Sequence, residues 1–565
     1  MRGKHTAEAG KSGIDREDLL VAVGLLLVLP VLFFLLMDRQ VNLYDGGMPL
    51  SMAVRVIQGQ VQHRDFYFQY GPMQPVVFAL LMRLFGPTLF YIACLQMVIK
   101  AVTVACGYFA VRAVASRWAA VWVAVCSTVT LASLNFLSSG TDAIATVLAF
   151  GAIAGFVFRG PLSARRNLCL GLIAGITSLY RYEQGPLLLG VYLLVLCIAS
   201  FLWPSSGERH LRTVVVSFGF VLLGYTVIVL PLMLYFWHAG ALPDLIYQCF
   251  TFVREHYRAG RSTPFPELTF RAPEDFIIYV PFAAPPVALA YVAWSVWRNK
   301  RHVASARFGI LTMFALLTIP FAMKASVRVD FGQMTPALLP ALIVIAVLMD
   351  RTVPLQSRIL AFLLCMTATF SLYRLTMHDR AGHGILKARF ETGGAAVQHL
   401  PWFRHATAAE ETWCNTQSPM TRTYCFLMDS DHQKAVELLH PRLHPGDWFY
   451  SGAPQHQIMV AGDNLMYFAT NTVPAVKWAN FDVDLQNRAD IQTSMVADLE
   501  KRRPQYISEY AGFGFGGEPN DSSISSHVQI LDDYLHRTYQ PMAAYGLVTV
   551  LQRRSAAIET NPPRP

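Results

Sequence analysis

Apolar runs of about twenty residues recur along the first two thirds of the chain and stop near residue 377. As helices, such runs are long enough to cross a bilayer core of about 30 Å. Eleven windows stand out: 19–37, 88–111, 118–135, 141–158, 168–181, 184–203, 213–237, 276–297, 308–324, 334–349 and 359–377. The fifth is short and its limits are the least sharp. The connections Arg112 to Arg117, Arg159 to Arg166, Glu208 to Arg212, Arg298 to Arg307 and Asp350 to Arg358 each carry at least two arginines, and the alternate loops carry the carboxylates. Basic residues favour the cytoplasmic side, so this pattern predicts a cytoplasmic N-terminus. An odd number of spans then places everything after residue 378 outside.

Beyond the last window the period changes. GDWFYSG (446–452) and QYISEY (505–510) read as strands, TSMVADLEKRR (493–503) and SSHVQILDDYLHRTY (525–539) as helices, and GLVTVLQRR (546–554) as a closing strand. The fold class expected is an α-helical polytopic membrane protein with about eleven transmembrane helices and a C-terminal extracytoplasmic α/β domain. Residues 1–377 would form the membrane domain, with long extracytoplasmic loops 38–87 and 238–275, and residues 378–565 the outer domain. Long loops in a compact membrane protein usually carry function. Within the first loop Met52, Ala53, Val56 and Ile57 recur at helical spacing. That stripe suits a helix lying in the membrane interface or, equally, one that binds a protein partner.

Composition agrees with the pattern. The 565 residues are 54% hydrophobic and only 15% charged, against roughly 25% charged in soluble domains. The net charge of +9 is scattered over short loops instead of forming a stripe, which argues against a nucleic-acid partner. The basic stretch Arg2 to Arg16 precedes the first apolar run, and no small-x-small cleavage site follows it, so it reads as an uncleaved signal anchor. Among nine cysteines, Cys94, Cys106, Cys126, Cys169, Cys197 and Cys365 fall inside apolar runs, where a small core residue is the ordinary role. Cys414 and Cys425 lie together in a polar region expected to be outside, and a disulfide between them is expected; two unpaired thiols are the alternative. Closing a loop of that size contributes about 3 kcal/mol. No cysteine–histidine spacing typical of zinc occurs.

Ionisable residues at the ends of membrane spans are expensive to hold near lipid and are functional candidates for that reason. Asp45 in VNLYDGGMPL follows the first span, where a solvated turn is the bland alternative. Asp142 opens the fourth span in LSSGTDAIATVLAF, a position that also suits a helix-capping acid. SLYRYEQGP places Arg181 and Glu183 at one outer edge, and KASVRVDFGQM places Lys324, Arg328 and Asp330 at another. Arginine on the outer side calls for an anionic partner. Internal pairs, Arg181 with Glu183 or Arg328 with Asp330, would satisfy them without any substrate.

These segments together resemble the GT-C membrane glycosyltransferases related to protein O-mannosyltransferases and the lipid A aminoarabinose transferase. The likeness is strongest in YDGGMPLSMAVRVIQGQVQHRDFYFQYGPMQPVVFALLMRLFG, residues 44–86, and continues in SSGTDAIA, SLYRYEQGP and RVDFGQMTPALLPAL. It implies that Asp45 is the essential first-loop acid, Asp142 a second acidic position, and Arg328 with Asp330 an Arg-x-Asp element. Gln333 stands where relatives often have histidine. On this reading Asp45 and Asp142 are catalytic, Arg181, Lys324 and Arg328 bind the donor phosphate, and Arg64, Asp65, Glu183, Asp330 and Gln333 contact substrate.

The implied activity is inverting transfer of a sugar from a polyprenyl-phosphate donor to a glycan, lipid or protein acceptor, in a multi-pass protein of a bacterial inner membrane. Such transfer needs a base for the acceptor hydroxyl and cations for the departing phosphate. No cofactor is required by the pattern, although some members of the class use a divalent ion. Two other classes remain open. A transporter or flippase would be expected to show inverted repeats and charges near mid-membrane, and a non-catalytic envelope scaffold would require only that Asp45 be dispensable.

Overall fold

The computed structural model describes residues 15–36, 42–132, 163–202, 208–266, 273–298, 306–329, 331–352, 354–376, 428–482, 484–513 and 518–554. The chain forms two compact units, each assembled from separate stretches. The first comprises Met1–Asp38, Ile92–Tyr235 and Pro264–His405; the second comprises Arg39–Tyr91, Phe236–Thr263 and Ala406–Pro565.

The first unit is helical. Every expected span within the described residues falls on a helix, and the 141–158 window lies outside them. Among the described residues six helical stretches are long and apolar enough to cross a membrane: Arg16–Leu36, Leu89–Arg112, Arg212–His238, Asp275–Arg298, Arg307–Ala325 and Gly332–Asp350. The protein is therefore a multi-pass integral membrane protein. Lipid supplies no hydrophobic drive between helices, so close association relies on small residues. Helix Ala164–Tyr180 meets Glu208–His238 in this way. A Cβ on Gly171 would lie 2.0 Å from the Val221 carbonyl oxygen, and one on Gly224 would lie 2.3 Å from that of Leu168.

Charge gathers at two ends of this unit. At one, Asp18 is fully buried and accepts hydrogen bonds from Tyr108 at 2.9 Å and the Arg112 guanidinium at 2.9 Å, and Arg117 pairs with Asp15 at 2.7 Å. The same end holds Asp350, which accepts from the Ser116 amide, and Arg307, which donates to the Val347 carbonyl. The other end holds Arg181, Glu183 and Lys324, at the turn between helices Ala164–Tyr180 and Gln184–Leu202 and at the close of helix Ala306–Ala325.

The second unit is built on a five-stranded sheet: β1 (Trp448–Gly452), β2 (Val473–Pro474), β3 (Tyr506–Tyr510), β4 (Tyr539–Tyr545) and β5 (Val548–Arg553), in the order β2-β1-β3-β5-β4. β1 runs parallel to β2 and β3, with Tyr450 opposite Ile507, and β5 runs antiparallel to β3 and β4. Strands β1, β3 and β5 fall where the sequence pattern places them, and so does helix Ala489–Arg502. The next helix, Ile530–Thr538, starts five residues later than the expected 525–539 and ends one residue short of it, where Tyr539 opens β4. Pro541 cannot continue a helix, and as an edge strand β4 tolerates a residue without an amide proton.

The amphipathic segment of the first loop is helix Gly47–Ile57, and its apolar face is covered by protein. Leu50, Met52 and Ala53 are fully buried, and the helix packs against helix Leu465–Ala469 and β2. Its Arg55, also fully buried, donates to the Val476 carbonyl and, at 2.9 Å, to Gln60 Oε1. Burial draws the Arg55 pKa down to about 9. The helix thus packs on the C-terminal part of its own chain, with Val56 and Ile57 half-buried.

Candidate functional site

Asp45 sits in a turn held from several directions. Asn42 Oδ1 accepts hydrogen bonds from the amides of Tyr44 at 3.0 Å and Asp45 at 2.7 Å, a side-chain mimic of a backbone turn. The Leu43 carbonyl accepts from the amides of Asn464 at 3.1 Å and Leu465 at 3.2 Å. The Tyr44 hydroxyl, buried with its ring, donates to the Phe481 carbonyl at 2.5 Å. Gly47 lies directly against this support, since a Cβ there would be 2.4 Å from the Leu465 nitrogen. From residue 43 to residue 55 every position is buried except Asp45, which is exposed. A carboxylate is thus presented to solvent from a turn whose neighbours are all fixed.

Residues of the second long loop and the C-terminal region complete this support. Asp482, 3% exposed, accepts from the Tyr67 hydroxyl at 3.0 Å and pairs with Arg261 at 3.2 Å. Burial, then the Asp482 charge, push the Tyr44 hydroxyl well above its ordinary pKa, so Tyr44 remains a proton donor. Two residues on, Asp484 accepts from His256 Nδ1 at 2.5 Å, and the His256 ring stacks on Phe252 at 5.2 Å. His63 of the first loop exchanges hydrogen bonds with Gln248 of the second: its Nδ1 lies 2.8 Å from Gln248 Oε1, and Gln248 Nε2 donates to its carbonyl at 3.0 Å. Burial brings the His63 pKa down to about 4, so the ring is neutral.

In the first unit the structure brings Arg181, Glu183 and Lys324 together. Arg181 Nε donates to Glu183 Oε1 at 2.7 Å, and Lys324 Nζ lies 3.5 Å from the same oxygen. Burial opposes ionisation of Glu183, but Arg181 and Lys324 outweigh it and take the pKa down to about 2. The pairing of Arg181 with Glu183 was open from their spacing; the arrival of Lys324 was not visible in the sequence. Arg328 is half-buried in the turn after helix Ala306–Ala325, and Gln333 is exposed in the first turn of Phe331–Thr352.

Arg64 and Asp65 form a two-pronged pair with each other, at 2.9 and 2.8 Å, and Asp65 Oδ2 also accepts from the Val61 amide at 2.7 Å. Both thus have local structural partners. Asp142, Asp330, Cys414 and Cys425 lie outside the described residues. Among the described residues no group of three or more histidines, cysteines or carboxylates is placed to hold a metal ion. Tyr67, Arg261 and Asp482 escape the sequence reading because their partners lie up to 415 residues away; Asn42 escapes it although its partners, the amides of Tyr44 and Asp45, are local.

The chain has the GT-C fold: a multi-pass helical body with a small C-terminal sheet domain. Two solved structures that it resembles along nearly their whole length are of ArnT from Cupriavidus metallidurans. With the form bound to undecaprenyl phosphate it shares 12% identity, covering 95% of this chain and 98% of that one at a TM-score of 0.55. With the apo form the figures are 13%, 94%, 97% and 0.52. The archaeal oligosaccharyltransferase AglB from Archaeoglobus fulgidus, in complex with an inhibitory peptide and a dolichol-phosphate, aligns over 88% of this chain and 70% of its own at 10% identity, with a TM-score of 0.45, too low to define a shared fold. No protein-family model matches the sequence, and no curated protein matches it.

Proposed function

We propose that the protein is an inverting glycosyltransferase that moves a sugar from a polyprenyl-phosphate donor to an acceptor hydroxyl on the extracytoplasmic face of the membrane. The observation that carries this reading is Asp45, the one exposed side chain in a buried, clamped stretch of the first loop, on a GT-C fold. A general base must be accessible to its substrate and fixed in position, and the Asp45 turn meets both conditions. The undecaprenyl phosphate bound by the ArnT structure supports a polyprenyl-phosphate donor here.

In the reaction the acceptor oxygen attacks the anomeric carbon while the bond from that carbon to the phosphate oxygen breaks. The electron pair leaves with polyprenyl phosphate, and the acceptor proton passes to Asp45. The configuration at the anomeric carbon inverts. Arg181, Lys324 and Arg328 bind the donor phosphate and stabilise its growing charge. Glu183 keeps Arg181 and Lys324 together, so that a phosphate meets a pre-formed pair of cations instead of two loose side chains. Asp142, with Asp330 and Gln333, is assigned to the same reaction by the resemblance.

The test is analysis of lipid-linked sugars and surface glycans in a strain lacking the gene. A polyprenyl-phosphate sugar should accumulate while one sugar disappears from a surface glycan or envelope lipid. Unchanged lipid-linked sugars and glycans would contradict the proposal, and build-up of a polar precursor inside the cell would favour a transporter.

A further inference from the structure

The second long loop has no part in the reaction as described so far, yet its charged residues are built into the support of the Asp45 turn. We propose that Asp482 is a positioning residue for Asp45, joining both long loops to the C-terminal region so that the base is held where the acceptor proton leaves.

The geometry is a hub at Phe481, Asp482 and Asp484. The carbonyl of Phe481 receives the Tyr44 hydroxyl at 2.5 Å, one residue before Asp45. One carboxylate oxygen of Asp482 receives the Tyr67 hydroxyl of the first loop at 3.0 Å, and the other receives Arg261 of the second loop at 3.2 Å. The hub is itself fixed from behind. The Asp482 amide donates to Gln486 Oε1 at 3.1 Å, and Gln486 Nε2 donates to the carbonyls of Trp478 at 3.2 Å and Asn480 at 3.3 Å. Asp484 adds a second tie to the second loop through His256, and its backbone takes the left-handed region at φ +53° to do so. A non-glycine residue in that region is disfavoured and persists only where its surroundings enforce it.

The consequence follows from the chemistry of Asp482. A carboxylate buried between a phenol and a guanidinium ties the two together, and removing its charge weakens the hold on Arg261. Asp482→Asn keeps the shape and can still accept from Tyr67, but it removes the charge that holds Arg261. Phe481 and Asp482 then loosen, and Tyr44 and Asp45 move with them. Displacing a reacting group by about 1 Å can cost about 100-fold in rate.

This inference rests on the proposed role of Asp45, and the experiment keeps the two apart. Full-length wild-type protein and the variants D45N, D482N, D482E and Y67F are added to membranes of the gene-deletion strain. Consumption of the accumulated polyprenyl-phosphate sugar is followed at several membrane concentrations, and binding of undecaprenyl phosphate is measured separately. D482N should lower kcat by about 10- to 100-fold, with KM and undecaprenyl phosphate affinity within about twofold of wild type. D482E should recover part of the loss, and Y67F, which removes one hydroxyl, should lose less than D482N. Amide exchange over residues 42–48 should rise in D482N while β3 and β5 stay protected. If D45N is inactive but D482N and Y67F both transfer at the wild-type rate, Asp482 does not position the base, and the proposed function stands. If D482N does not fold, Y67F alone decides: unchanged kcat and unchanged exchange over 42–48 overturn the inference. Full activity of D45N defeats the underlying reading whatever Asp482 does.

Discussion

Gly47→Ala separates two effects of opposite sign. By intrinsic propensity the change should help, because alanine is more favourable than glycine in a helix by about 1 kcal/mol. The structure says otherwise. The added Cβ would lie 2.4 Å from the Leu465 nitrogen, 2.7 Å from the Asn464 carbonyl carbon and 2.9 Å from the Leu465 Cα. All three are backbone atoms, so no rotamer change relieves the clash, and the two segments must part by about 1 Å to reach ordinary contact near 3.5 Å. Overpacking of this kind costs about 1–3 kcal/mol. The same separation strains the bonds from the Asn464 and Leu465 amides to the Leu43 carbonyl, each contributing about 1 kcal/mol. After the helix gain is subtracted, a net loss of about 2–4 kcal/mol remains if both bonds are lost. Apparent melting of the detergent-solubilised protein should therefore fall for Gly47→Ala. Gly190→Ala, in helix Gln184–Leu202 with nothing within 4 Å of its Cβ, should leave melting unchanged or raise it slightly. A Gly47→Ala protein that melts at or above the wild-type temperature would refute the packing described for the Asp45 turn.

Two further predictions follow. His432 is fully buried, with Nδ1 2.8 Å from Asp429 Oδ1 and Nε2 3.0 Å from Asp463 Oδ2. Burial opposes its charge, but the two carboxylates outweigh burial and raise its pKa to about 10. A raised folded-state pKa stabilises fully below the unfolded value of about 6.5 and is lost as pH rises through the folded one. Melting of the second unit should therefore decline between about pH 7 and pH 10, and His432→Gln should abolish that decline; an unchanged decline in the variant would assign it to other groups. For topology, reporter fusions after residues 115 and 205 should report the cytoplasm and one after residue 555 the outside, and a cytoplasmic signal from the last would overturn the expected orientation.

What could be read from the sequence follows from how local each signal is. Apolar runs mark helices whatever their neighbours, so each expected span within the described residues falls on a helix. YISEY and GLVTVLQRR carry strand character in their own residues, and they form β3 and β5. The stripe of Met52, Ala53, Val56 and Ile57 shows that a helix has an apolar face but cannot name what covers that face. Asp45 was visible because an acid between a tyrosine and two glycines beyond a membrane span is unusual. Its support was not, since Tyr44, Tyr67, Arg261 and Asp482 lie in three stretches that only the fold unites. Likewise Arg181 and Glu183 stand two residues apart and could be paired on paper, whereas Lys324 reaches the same carboxylate from 141 positions further along.

The most direct measurement of the central claim is transfer by Asp45→Asn in membranes of the gene-deletion strain. The asparagine has the same shape, and the Asp45 side chain is exposed, so the turn should keep the hydrogen bonds its amides donate to Asn42 Oδ1 and the protein its expression and melting. The carboxylate's charge and basicity are lost, and a general base contributes about 10²–10⁴-fold in rate. Consumption of the accumulated polyprenyl-phosphate sugar should fall by at least about 100-fold, with undecaprenyl phosphate still bound as by the wild-type protein. A well-expressed, stable Asp45→Asn protein that transfers at the wild-type rate would contradict the account and point to a non-catalytic role in envelope assembly.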